Sequence, residues 1–290
     1  MAFLEVFLKD YAHSIIFESM SNSLAPEQDT MSVLSQSVNS AYLQREVQYD
    51  IYLPGEFPFS EPVSLLLCND GQDMAKMGFA GILQELIRQD CLHPLVCIGI
   101  HCGADRRMEY GTAYSADFKG RGARAGLYAK FVMDELLPAI RKTLSITSFR
   151  DKSFAGFSLG ALSALDIVWN HPNEFRQVGI FSGSLWWRRK GYEEGYNDEQ
   201  DRLMHLQIRQ GGFYPWLRFF VECGELDEKA DRNNNGVIDS IDDALDLLVE
   251  LRAKGYTDAH LSYLQLPEGD HSVGTWAKAF PDFLKWGWGK

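Results

Sequence analysis

Apolar and polar positions alternate most clearly at Val47, Tyr49, Ile51 and Leu53, with Gln48, Asp50 and Tyr52 between them. A period of two sends successive side chains to opposite faces, so this stretch reads as a half-buried strand, ended by Pro54-Gly55. Unbroken apolar runs at 62–67 and 95–100 fit strands buried on both faces. Helical spacing falls between and after them. One helix is expected at about 80–89. In another, Leu127 and Phe131 share a stripe, with Tyr128, Val132 and Leu136 beside it. Pro138 should kink or finish that second helix. Further strands are expected at 178–181, 217–223 and 259–266, and a closing helix at about 276–286. Ahead of residue 45 the chain is rich in Ser, Asn, Gln and Asp, with a strand at 13–17 and an edge strand around 31–38 as the candidates. Residues 103–123, polar and glycine-rich, read as a long surface loop, and 184–215 as a variable region. Strands alternating with helices imply an α/β fold, its central, mostly parallel sheet covered by helices on both faces. No repeat or linker interrupts it, so residues 1–290 read as a single domain.

Composition narrows the function more than the fold. Apolar residues are 46% of 290 and aromatics 13%, enough for a sizeable core. A formal net charge of −12 argues against a nucleic-acid partner or an anionic membrane surface. The N-terminus shows no basic leader ahead of an apolar run, and no stretch approaches the ~18 apolar residues of a membrane helix. A cytoplasmic location is therefore expected. Cys68, Cys91, Cys97, Cys102 and Cys223 are odd in number, and three of them sit inside apolar strand-like runs. They read as free thiols in a reducing compartment, and no CxxC or Cys/His cluster suggests zinc.

The chemistry centres on residues 153–169. An apolar run leads into Gly156-Phe157-Ser158-Leu159-Gly160, and a mostly apolar helical stretch follows at once. This is the strand–turn–helix setting of a nucleophile elbow, the signature of an α/β-hydrolase. A serine hydroxyl needs a base within hydrogen-bond reach and donors for the developing oxyanion. In this fold the order along the chain is Ser, then Asp or Glu, then His. His171 ends the elbow helix, too close to reach back, His205 precedes a strand, and His260 starts one. His271 follows a strand and the turn Pro267-Glu268-Gly269-Asp270, at the carboxyl edge of the sheet where ligands of open α/β sheets bind. The acid belongs after the penultimate strand, where Glu225, Asp227 and Glu228 are available; Asp227 is preferred and Glu225 is the alternative.

These residues, with Gly224-x-x-Asp227, Gly269-x-His271 and Trp276, resemble the "Putative esterase" family of enterochelin, feruloyl and acetyl-xylan esterases, S-formylglutathione hydrolases and mycolyltransferases. The resemblance covers roughly residues 45–288, including Glu135-Leu136-Leu137-Pro138 ahead of the elbow and Phe181-Ser182-Gly183-Ser184 after it. It implies the α/β-hydrolase fold and selects Asp227 as the acid. It also implies that Asn69-Asp70-Gly71-Gln72 is the oxyanion turn, with the backbone N–H groups of Gln72 and Leu159 as donors. Many relatives carry His-Gly there; this chain has Asn69-Asp70-Gly71.

A second motif points to a metal. Asp231, Asn233 and Asn235 stand at positions 1, 3 and 5 of a calcium-loop template, with Gly236 at 6, the Val237 carbonyl at 7, Asp239 at 9 and Asp242 at 12. The leaving helix is present, with Ile241, Leu245, Leu248 and Leu251 as its stripe and Gly255 as its cap, while an entering helix is absent. The expectation is a structural Ca2+, with Mg2+ the weaker candidate. The whole then reads as a serine esterase acting on acyl esters of sugars, siderophores or small alcohols. Trp186, Trp187, Phe213, Tyr214 and Trp216 are candidates for lining its substrate subsite. Two other readings of the same residues are an acyltransferase and a non-catalytic, calcium-braced binding module.

Overall fold

The structure is a computed structural model, which describes residues 30–55 and 57–290; the strand expected at 13–17 lies outside them. Eight strands form one sheet: β1 (Ser32–Ser40), β2 (Arg45–Leu53), β3 (Ser64–Asn69), β4 (Leu95–Ile100), β5 (Lys152–Phe157), β6 (Gln177–Phe181), β7 (Arg218–Leu226) and β8 (Leu261–Asp270). Their order is β1-β2-β4-β3-β5-β6-β7-β8. The pairs β1–β2 and β2–β4 are antiparallel and all others parallel. This is the expected α/β-hydrolase sheet. The parallel strands β3, β4 and β6 are buried along their whole length, as apolar runs such as 65–67 in β3 and 95–100 in β4 require.

Helices α1 (Phe79–Arg88) and α6 (Val273–Trp288) cover one face, where Phe79, Leu83, Phe280 and Phe283 pack with Phe181 and Phe220. The other face carries α2 (residues 125–144), α3 (Leu159–Asn170), α4 (Leu203–Gln210) and α5 (Asp239–Lys254). Helix α3 is buried from Leu159 to Trp169, so it shows no polar face; its one buried acid, Asp166, is satisfied by the Ala113 N–H and by Asn170 and Gln207.

Helix α2 continues past Pro138, where it was expected to kink or finish. Its first segment, Ala125–Lys130, runs through a π-helical stretch, Phe131–Leu136, into Leu137–Leu144, so Pro138 neither ends nor breaks it. The Leu137 N–H donates five residues back, to the Val132 carbonyl. That wider turn accommodates the ring and missing N–H of Pro138 without breaking the helix. The polar 103–123 segment is also no simple surface loop. It contains a helical turn, Arg106–Glu109, and buries Glu109, Tyr110 and Asp117. Its charges are internal because they are paired: Arg45 holds Glu109 at 2.6 Å, and Arg121 clamps Asp117. Strand β8 runs on through Pro267 to Asp270, so the expected turn before His271 is strand. A register shift between Gly224 and Leu226 lets Leu226 pair with Asp270 there. On α5, Ile241, Leu248 and Leu251 are buried as expected, but Leu245 is exposed and Ala244 and Leu247 take the core positions.

Candidate active site

Strand β5 delivers Ser158 into a sharp turn before α3, with φ +54° and ψ −120°. A non-glycine residue holds such a conformation only where its surroundings over-determine it. Here the Ser158 N–H donates to the Phe181 carbonyl at 2.9 Å, and the Ser158 carbonyl accepts from the N–H groups of Ala161 and Ser184 at 3.1 Å each. The flanking glycines are steric necessities. A Cβ on Gly156 would lie 2.5 Å from the Gly160 backbone, and one on Gly160 would lie 2.5 Å from Asp70 Oδ2. The Ser158 hydroxyl lies 3.4 Å from that of Ser184, which follows β6.

The other two candidates also lie at the carboxyl end of the sheet. Asp227 follows β7 and His271 follows β8, with His271 Nδ1 3.7 Å from Asp227 Oδ1. The Asp227 side chain is 1% exposed and that of His271 is 41% exposed, so the carboxylate is enclosed and the imidazole is open. Asp227 Oδ1 accepts a hydrogen bond from the Ser182 hydroxyl at 3.0 Å, and Oδ2 one from the Gly224 N–H at 3.4 Å. Trp276 Nε1–H donates to the same Ser182 oxygen at 2.9 Å. The Trp276 ring stacks on Phe157, 4.8 Å between centroids, and meets His271 edge-on at 5.4 Å. Of the reserve acids, Glu225 is turned to Gln265, and Glu228 is half-buried with its carboxyl pushed up by burial.

The remaining histidines are accounted for otherwise. His205 is buried, with Nε2 2.8 Å from the Asp243 carbonyl, and burial pushes its imidazole down to about 3. His260 holds the Thr257 N–H at 3.1 Å, and His171 ends α3.

Facing the elbow, Asp70 takes a left-handed conformation (φ +59°) and opens the helical turn Gly71–Met74. The first N–H groups of a helix have no partner within it, so Gln72 and Leu159 each present a donor at the start of a helical turn. The turn itself is firmly held. Arg106 grips both Asp70 oxygens at 2.7 Å, and Asn69 Nδ2–H donates to the Gly160 carbonyl at 2.8 Å. Tyr128 donates to Asn69 Oδ1 at 2.5 Å, and Gln72 Oε1 accepts the Cys102 N–H at 3.1 Å. Sequence reasoning did not find this Arg106–Asp70 clamp, because its members are 36 residues apart.

The expected aromatic cluster divides. Trp186 and Trp187 pair beside Ser184, with Trp187 fully buried and Arg121 over both rings. Tyr214 packs on Trp169 and Trp216, while Phe213 packs on Tyr256. Of the five, only Trp186 is both part-exposed and within two residues of Ser184 in sequence.

In the 231–242 loop, Asn233 and Asn235 both donate side-chain N–H groups to Asp242 Oδ2, at 2.9 and 2.8 Å. Asp231 accepts the N–H groups of Asn235 and Gly236 at 3.1 and 2.9 Å. Positions 1, 3, 5 and 12 of the template thus share one hydrogen-bonded ring. Asp239 does not join it, being held by Arg232 through its N–H at 2.8 Å and its guanidinium at 3.2 Å. Among the described residues no group of three or more His, Cys, Asp or Glu gathers as a metal site.

A strained serine after a central parallel strand, with an aspartate and a histidine at the same end of the sheet, defines the class: an α/β-hydrolase. A family model described as "Putative esterase" matches residues 40–286, so the chain belongs to that family and is a carboxylic ester hydrolase. Solved structures of similar fold include a ferulic acid esterase (18% identity, 88% of this chain and 97% of that one, TM-score 0.66). The enterobactin esterase of Shigella flexneri, solved with enterobactin, is 21% identical over 91% of this chain, with a TM-score of 0.68. This chain spans 60% of that esterase's length. An IroE-like serine hydrolase from Shewanella oneidensis is 20% identical over 88% of this chain and 80% of its own, with a TM-score of 0.65. Among curated proteins none matches.

Proposed function

We propose that ester hydrolysis here runs through Ser158, His271 and Asp227 by way of an acyl-enzyme. The observation that carries this is the enclosed Asp227 carboxylate, 3.7 Å from Nδ1 of a solvent-facing His271. With Nδ1 toward the acid, Nε2 is left for the serine hydroxyl. A separation of 3.7 Å is beyond a hydrogen bond, and such contacts commonly tighten only once substrate is bound. His271 takes the Ser158 proton as Oγ attacks the acyl carbon, and the tetrahedral oxyanion rests on the Leu159 and Gln72 N–H groups. The same proton then leaves with the alcohol. Water, deprotonated in turn by His271, frees the acid and restores the serine.

The substrates proposed are small acyl esters of sugars, siderophores or simple alcohols. Support comes from the part-exposed Trp186, two residues after Ser184 and able to offer an aromatic face to a ring-bearing acyl group, and from neighbours whose names specify ferulic acid and enterobactin. A panel of acetyl, feruloyl, aryl and catecholate-siderophore esters tests this, with product analysis in added alcohol to detect transfer. Turnover of one class, lost in Ser158→Ala, is the expected outcome. Equal rates in parent and Ser158→Ala would sink the reading.

We further propose that the 231–242 loop binds Ca2+ through Asp231, Asn233, Asn235, the Val237 carbonyl and Asp242. Asp239 is withdrawn by Arg232, and Mg2+, which demands a stricter octahedron, is the weaker candidate. The ion would brace the segment between the acid-bearing β7 and α5. Added Ca2+ should raise the melting temperature and chelator reverse it; no shift in either direction would remove the ion from the account.

A further inference from the structure

Three charged residues lie on β7. Arg218 stacks on Trp286 at 4.1 Å, and Glu225 accepts from Gln265 at 2.7 Å. The third, Glu222, is 0% exposed, and neither carboxyl oxygen has a hydrogen-bond partner among the described residues. The pleat puts it on the face of Phe220, beneath α6, five residues before Asp227. Its backbone carbonyl accepts the Ser182 N–H at 2.9 Å, so the two residues are fastened side by side. The Ser182 amide and hydroxyl lie near enough to favour the ionised carboxylate, yet outside hydrogen-bond geometry.

We propose that Glu222 is a positioning residue for the Asp227–His271 pair: held as the un-ionised acid, it leaves Asp227 the sole negative charge behind the imidazole, and its ionisation at alkaline pH disables the pair. The proposal rests on the triad reading above. An isolated buried carboxylate without partners is strongly disfavoured, and a second one beside Asp227 more so. Burial, and then the Asp227 charge, accordingly push the Glu222 carboxyl from 4.5 up to about 8. The described surroundings offer it no counter-charge. Cys223 on β7 and Asp227 just after it are its acidic neighbours; on β8, Tyr263 has its hydroxyl pushed up, first by burial and then by these same acids; α6 turns Trp276 and Phe280 inward and leaves Lys278 and Asp282 exposed. Among the described residues, no cation contributes to the shift of the Glu222 carboxyl.

The device is the single hydrogen of Ser182. With Glu222 neutral, that hydroxyl donates to Asp227 Oδ1 while accepting from Trp276. Once Glu222 ionises, it is a buried acceptor with no donor and competes for the same hydrogen. Asp227 then loses its side-chain donor while being repelled by the new charge. The imidazole loses the partner that orients it.

The test compares parent and Glu222→Gln, which keeps the shape and cannot ionise. In the parent, kcat/KM should fall about tenfold from pH 7 to pH 9, one unit past the midpoint; in Glu222→Gln the same ratio should be about twofold or less. Denaturant unfolding gives a second reading that does not need the triad. Between pH 4.5 and about 8 the folded acid holds a proton that the unfolded one has lost, so the parent should lose stability relative to Glu222→Gln as pH rises through that window. Equal rate ratios in the two proteins overturn the proposal, and so does a stability difference that does not change with pH. An active Ser158→Ala variant would overturn the triad reading instead, with the unfolding arm unaffected. If Glu222→Gln does not fold, carboxyl ¹³C NMR of the glutamate-labelled parent decides. One glutamate titrating near pH 8 supports the proposal, and all titrating in the ordinary range overturns it.

Discussion

The Ser182 hydroxyl joins two side chains with opposite needs, accepting from the Trp276 indole and donating to the Asp227 carboxylate. Removing it strands a donor and deprives a buried acceptor at once. Ser182→Ala should therefore cost about 1–3 kcal/mol of stability, seen as a lower denaturant midpoint. It should also lower kcat with little change in KM, because the loss falls on the group proposed to orient the base. A KM effect alone would place Ser182 in substrate binding instead. At this scale the sequence was informative wherever sterics are local. Gly156-x-Ser158-x-Gly160 is legible because its turn has room for nothing larger, and His271 because it alone of the later histidines follows the last strand. Glu222 was invisible for the converse reason. In Phe219-Phe220-Val221-Glu222-Cys223 it looks like one polar position in a strand, and only the burial of both faces of the sheet shows it enclosed.

Among elements, the most consequential contact is the clamp of Arg106, from a helical turn after β4, on Asp70, at the end of β3. It fixes the turn proposed to hold the oxyanion against the start of α3, with Asp70 Oδ2 at the place a side chain on Gly160 would fill. Arg106→Met leaves a buried carboxylate unpaired, which should cost about 3–5 kcal/mol. Adding Asp70→Asn should return part of it, so a double-mutant cycle by denaturant unfolding measures the coupling. Additive effects would mean the two side chains do not stabilise one another. Strand and helix positions followed from periodicity because each depends on neighbours in sequence. The misreadings share a different cause. Pro138 was expected to kink or finish α2; the helix does not finish there, because a π-helical turn before it accommodates the proline. Residues 103–123 looked like surface because Arg45 and Arg121, which make burial of Glu109 and Asp117 tolerable, are not recognisable as partners from spacing.

Over the whole molecule, two buried groups pull stability in opposite directions with pH. His205 is held neutral, its imidazole pushed from 6.5 down to about 3 by burial and then by the Arg202 charge. Below pH 6.5 the unfolded chain takes up a proton that the folded one refuses, so stability is lost as pH falls toward 3. That loss is on the order of 5 kcal/mol, and His205→Gln should flatten the acid limb of the stability profile while Glu222 governs the alkaline one. An unchanged acid limb in the variant would mean that other groups carry it. The family and fold, legible from one motif and the alternation of elements, define an ester hydrolase; which oxygen attacks is the central claim, and it has a direct readout. Intact-protein and peptide mass spectrometry of the enzyme quenched during turnover of an aryl acetate should show one acetyl group, on Ser158, absent in Ser158→Ala. Acetyl on Ser184, 3.4 Å away, or undiminished hydrolysis by Ser158→Ala, would contradict the account.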